Sequence, residues 1–186
     1  LSEILQARSH LSPGETALGG WMLIRDLSTP KTANTMPNVD TLYGAAFVWL
    51  EKQGPVVLTI PPVKDRYYSI ALHDAWFNAF EILGSRTIGN AGGSYLIVPP
   101  GWKGRKPDGI ARVIESPTAM INLYQRIYLG AADPIQSVRA LQDQIRLSPL
   151  SAWPDIHAGF PAVDDRAFRL PQLRETRDPL RFFELA

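Results

Sequence analysis

The 186-residue chain is 45% hydrophobic and 20% charged, enough for one domain with a true core. Its 19 basic and 18 acidic residues leave a net charge of +1, which excludes the electrostatic footprint of a nucleic-acid or anionic-membrane binder. Cysteine is absent, which excludes disulfides, thiolate catalysis and the usual structural zinc sites.

No apolar run approaches the ~20 residues that cross a bilayer, so no membrane span is expected. The chain opens on Leu1 rather than methionine, and an upstream targeting segment is expected to have been removed. In chain order, Ser2–Leu11 has a capping serine and a shared Ile4, Leu5 and Leu11 face, which predicts a helix. Ser12-Pro13-Gly14 breaks it, and Leu18, Trp21, Met22 and Leu23 suggest a second short helix within Glu15–Leu27. Residues 28–37 read as a loop, which makes 1–36 a helical and loop lead-in.

Leu42–Leu50 is apolar or small on both parities, as in a strand covered on both faces. Val56–Ile60 is β-branched and follows a Gly54-Pro55 turn. Arg66–Trp76 then alternates, and the short connections predict an antiparallel meander of these three strands. Residues 78–93 mix apolar residues with glycines and give no clear period. Ser94–Val98 and Ile110–Ile114 are short strands. Met120–Leu129 alternates most clearly, with Ile121, Leu123, Ile127 and Leu129 opposite Asn122, Tyr124, Arg126 and Tyr128. Asp133-Pro134 reads as an N-cap and first-turn proline, opening a helix over about 134–147 that Pro149 ends. Residues 37–150 thus form a β-rich core domain. Residues 151–186 read as an extended arm ending in a short helix that begins at Asp178 and is expected to lead into a further domain.

Several catalytic signatures are missing: there is no G-x-S-x-G, no G-x-G-x-x-G and no P-loop. His10, His73 and His157 are too far apart to form a paired metal motif, so neither a metal nor a cofactor is expected. Chemistry-bearing residues concentrate in Met36–Trp76 instead. Asn38, Asp40, Thr41 and Tyr43 lie just before or at the start of a strand, where a carboxylate, an amide and a phenol can orient a polar substrate or exchange protons. The same residues also suit a plain turn into a strand. Arg66 can hold a carboxylate or pair with a nearby aspartate, with Tyr67 beside it. His73 and Asp74 are adjacent in a strand and so point to opposite faces, which argues against a direct dyad. The Asn122, Tyr124, Arg126 and Tyr128 face is either a wet sheet face or a groove for an anionic ligand with a ring to stack. Trp102, at a loop tip, is either a core plug or a cover for a ligand or subunit.

Pro37-Asn38-Val39-Asp40-Thr41-Leu42-Tyr43, Gly54-Pro55-Val56-Val57-Leu58 and Arg66-Tyr67-Tyr68 resemble the domain-of-unknown-function 1254 family. Asp74-Ala75-Trp76, Arg86-Thr87, Pro100-Gly101-Trp102-Lys103-Gly104 and the Pro117…Arg126…Asp133 series extend the match in order, from about Pro37 to Leu150. Val98-Pro99-Pro100 departs from it, where members carry a glycine before the proline. The resemblance implies a mainly β fold, an antiparallel β-sandwich or jelly-roll-like core with flanking helices. It also implies a homo-oligomer, a second domain after this one and a periplasmic or secreted bacterial protein.

The family motif falls on Asn38, Asp40, Thr41, Tyr43, Arg66, Tyr67, Asp74, Trp76, Trp102 and Arg126. The first expectation is an enzyme using acid–base or hydrolytic chemistry on a small polar or anionic substrate. Asp40, Tyr43 and Asp74 are its catalytic candidates; Asn38, Arg66, Tyr67, Trp76, Trp102, Tyr124 and Arg126 are its ligand-binding ones. The alternatives are a non-catalytic module that binds a carbohydrate or organic acid or assembles an oligomer, and a buried polar network that fixes strand register.

Overall fold

The computed structural model describes residues 18–29, 31, 38–64 and 66–161. The helix expected at Ser2–Leu11 and the one expected from Asp178 lie outside these residues. Among the described residues nine strands, two short α-helices and a 3-10 turn follow in order: β1 (Trp21–Leu23), β2 (Thr41–Trp49), α1 (Leu50–Gln53), β3 (Val56–Ile60), β4 (Tyr68–His73), β5 (Ala79–Gly84), β6 (Gly93–Val98), β7 (Arg112–Glu115), β8 (Met120–Tyr128), α2 (Ile135–Gln144), β9 (Arg146–Pro149) and the 3-10 turn (Leu150–Ala152).

The strands form a sandwich of two sheets. One has five strands in the order β1-β2-β8-β4-β5; the other has four in the order β7-β6-β3-β9. Every pairing is antiparallel except β6 with β7. The expected meander does not form: β3 crosses to the second sheet, and β8 inserts between β2 and β4. The reason lies in β3, whose Val56, Val57 and Leu58 are all fully buried, so it needs cover on both faces. Trp21–Leu23 is a strand on the edge of β2 rather than part of a helix. Gly19, just ahead of it at φ +91°, takes a conformation that no helix continues.

Alternation builds the core. Leu42, Ala46 and Val48 of β2, Tyr68, Ile70 and Leu72 of β4, and Ile121, Leu123 and Ile127 of β8 point inward, where they meet Val56, Leu58, Ile60, Tyr95, Ile97 and Leu147. Val138 and Leu141 of α2 join the same core. Helix α2 starts at Ile135, with no side-chain cap, and ends at Gln144. Asp133 does not cap it; its Oδ2 accepts from the Gly130 amide at 3.0 Å. The outer face of the four-stranded sheet, with Val57, Leu96 and Val98, is covered by Ile110, Trp102 and Trp153. The outer face of the five-stranded sheet carries most of the polar residues picked out in the sequence.

Candidate functional site

Register fixes which side chains meet on that outer face. Tyr43 of β2 lies opposite Arg126 of β8, and Arg126 opposite Ser69 of β4. The next row is Met22, Ala45, Tyr124, Ala71 and Ile82; the one after is Phe47, Asn122 and His73. Small residues (Ala45, Ser69, Ala71) therefore alternate with tall ones on a single surface.

Arg126 sits at the centre of these rows, half-buried, with its guanidinium carbon 5.5 Å from the Tyr43 ring centroid. No acidic side chain among the described residues forms an ion pair with it. The Tyr43 hydroxyl in turn accepts from Asn38 Nδ2 at 3.0 Å. One row away, His73 stacks on Phe77 at 4.8 Å and meets Tyr124 edge-on at 5.4 Å, while Phe77 and Tyr124 lie 5.6 Å apart. His73 Nδ1 and Asn122 Nδ2, on directly paired residues, are buried with no hydrogen-bond partner. Burial lowers the His73 pKa, and the charge of Arg126 lowers it further against a smaller opposing pull from Asp74. Both effects favour the neutral imidazole, which lies beside a cation with no ion-pair partner among the described residues.

The β4–β5 connection is built to put Phe77 there. Asp74 is only 6% exposed. Its Oδ1 accepts from the Trp76 and Asn78 amides at 2.9 and 2.8 Å, and its Oδ2 from Asn78 Nδ2 at 3.0 Å. Burial pushes its pKa up, but the bonds from Asn78 and Trp76, helped by His73, outweigh that and hold it low. The turn leaves Phe77 at φ +69°, a conformation rare for a bulky side chain and one that costs about 1–3 kcal/mol.

The remaining candidates lie elsewhere. Asp40 is exposed at the mouth of β2, where its Oδ1 accepts from the Thr41 hydroxyl at 2.9 Å. Arg66 ties β4 to the start of α2: it donates to the Tyr128 carbonyl at 3.2 Å and to Ser137 Oγ at 3.3 Å, and it lies 3.4 Å from Asp133. Tyr67 stacks under Arg86 at 5.3 Å. Trp76 is 80% exposed at the tip of the β4–β5 loop. Trp102 packs on the outside of the other sheet, so it does not approach Tyr124. The structure thus gathers Asn38, Tyr43, Tyr124 and Arg126 and adds His73, Asn122 and Phe77. It separates Arg66, Trp76 and Trp102 from them. The period-two pattern of β8 signalled Asn122; nothing local signalled Phe77. Among the described residues no group of three or more His, Asp or Glu is placed to hold a metal, and no helix is long and apolar enough to cross a membrane.

Fold and site together define a two-sheet β-sandwich domain with one sheet face lined by aromatic rings around a guanidinium that has no ion-pair partner among the described residues. The chain belongs to the DUF1254 family, described as proteins of unknown function, whose model matches residues 21–149. No curated protein matches it. The fold is similar to the crystal structure of the VPA0106 protein from Vibrio parahaemolyticus, with a TM-score of 0.69 and 19% identity. That match covers 94% of this chain and 40% of the other, so the chain spans less than half the length of this relative.

Proposed function

We propose that this domain binds a small organic anion on the outer face of the five-stranded sheet, with a planar body stacked against Tyr124 and Phe77. One observation carries the reading: Arg126 is a half-buried guanidinium whose described neighbours include a phenol ring but no carboxylate. Withdrawing a cation from water without a counterion is costly, and a ligand carboxylate would relieve that cost bidentately. The Tyr43 hydroxyl supplies a further donor. Following the family resemblance, we place the domain in an exported, homo-oligomeric protein that carries a second domain.

The test is titration with benzoate, which combines a carboxylate with a ring. Saturable binding should weaken roughly tenfold or more in Arg126→Gln, as expected for a charged hydrogen bond of about 1.5–3 kcal/mol. Absence of binding, or equal binding by both proteins, refutes the reading.

A catalytic reading, acid–base or hydrolytic action on a small polar or anionic substrate, is favoured by the neutral His73 beside Arg126. In it His73 is the base and Tyr43 the donor. Turnover should then fall in His73→Gln and survive Asp40→Asn. The reverse pattern would restore Asp40 as the base.

A further inference from the structure

A concavity lies away from this face, where the two sheets end. Strand β1 closes one side of the five-stranded sheet and β9 one side of the four-stranded sheet. Residues of both line a cleft of about 440 Å³, together with the end of α2 and residues 156–160. That volume falls in the range of small-molecule sites. None of Tyr43, His73, Tyr124 and Arg126 lines it.

Its chemistry is divided. Trp21, Leu23, Leu147, Ile156 and Phe160 supply apolar surface. The Phe160 ring packs so closely on Gly19 that a Cβ there would lie 2.3 Å from it, which fixes this wall to the start of β1. Of the polar lining groups, Gln142 is fully engaged: its Nε2 donates to the Ile24 and Tyr43 carbonyls and its Oε1 accepts from Arg25. Asp143 is held by both terminal nitrogens of Arg25, at 2.8 and 2.9 Å. That leaves Arg146, exposed and without an ion pair among the described residues, and His157. The Trp21 indole Nε1 is also buried without a partner. Asp143 is paired with Arg25 and also feels the charge of Arg146, so two cations share one carboxylate and the balance is positive.

We propose that this cleft binds an amphipathic monocarboxylate, its carboxylate on Arg146 and its aliphatic body along Trp21, Leu147 and Phe160. The site is independent of the sheet face and takes a differently shaped ligand.

Isothermal titration with decanoate below its micellar concentration tests it. Two variants report on the site. Arg146→Gln removes the anchor. Gly159→Leu adds bulk at a lining position where a Cβ meets nothing within 4 Å, so it should not disturb the wall. The wild type should bind at one saturable site, and each variant should weaken binding roughly tenfold or more. Arg126→Gln should leave it within about twofold, which keeps a failure here distinct from a failure of the sheet-face reading. No saturable binding, binding unchanged in both cleft variants, or binding lost in Arg126→Gln alone would overturn the proposal. If Gly159→Leu does not fold, Arg146→Gln decides the matter by itself.

Discussion

Single residues in this domain show where polar groups have been left without partners, and each is a quantitative statement. Gln125 is fully buried on the inward side of β8, with neither its Oε1 nor its Nε2 bonded. It lies across Gly44, where a Cβ would come within 2.6 Å of its amide nitrogen. A buried amide left unpaired costs about 1–3 kcal/mol, so Gln125→Met, of similar shape, should raise stability by about that amount in urea denaturation. A loss of stability instead would mean that the amide is satisfied in solution. His73 and Asn122 are unpaired in the same sense, but they lie on the outer face beside an uncompensated cation. There the proposed anion binding would give the cost a reason that Gln125 lacks. Tyr124 and Arg126 were legible from their period-two spacing alone. His73 was visible but was considered only with Asp74, and strand parity counted against that pair. Its real companions come from neighbouring strands and from a loop.

At the scale of elements, legibility followed burial pattern. β2, β3, β6 and β8 carry apolar or alternating runs, and α2 carries a helical period, so each could be read from the sequence. β5 could not, because four of its six residues, Ala79 to Ile82, are exposed or half-exposed and only Leu83 and Gly84 are buried. β9 directly follows α2 and was absorbed into the expected helix. β1 owes its strand conformation to the open edge of β2, which no local pattern encodes. Which sheet each strand joins was equally invisible, because a short connection serves a hairpin and a crossing between sheets alike. One close approach makes the β4–β5 pairing testable. A Cβ at Gly84 would lie 2.4 Å from the Tyr68 carbonyl oxygen and 2.9 Å from the Ser69 Cα, and backbone cannot yield as a side chain can. Gly84→Ala should therefore cost about 1–3 kcal/mol by thermal or urea unfolding and weaken the pairing that supports Phe77. A neutral result would mean that β5 is free to shift away from β4.

For the whole molecule, the sandwich supplies a rigid floor and the charges on it set the pH behaviour. His73 has a folded pKa below its ordinary value of 6.5, so protonation favours the unfolded chain. Its contribution is fully present above about pH 6.5 and is lost as pH falls through the folded value. Asp74 has a folded pKa below 3.8, so its contribution is present above that value and is lost only at still lower pH. The melting temperature should therefore decline in two separate acid windows, and His73→Phe should flatten the first without touching the second. A single decline, confined to the lower window and identical in the variant, would contradict this assignment. The mainly β sandwich followed from composition, alternation and family resemblance together, whereas the convergence of Tyr43, Tyr124, His73 and Arg126 depends on register between strands far apart in the chain.

The same electrostatics supply the most direct test of anion binding on the sheet face. Burial holds the His73 pKa down and the charge of Arg126 lowers it further, and a carboxylate seated on Arg126 would cancel that second contribution. The measurement is an NMR titration of the His73 ring with and without saturating benzoate. The account predicts that benzoate raises the His73 pKa, and equivalently that benzoate binds more tightly as pH falls through it. A His73 titration curve that benzoate leaves unmoved would contradict it.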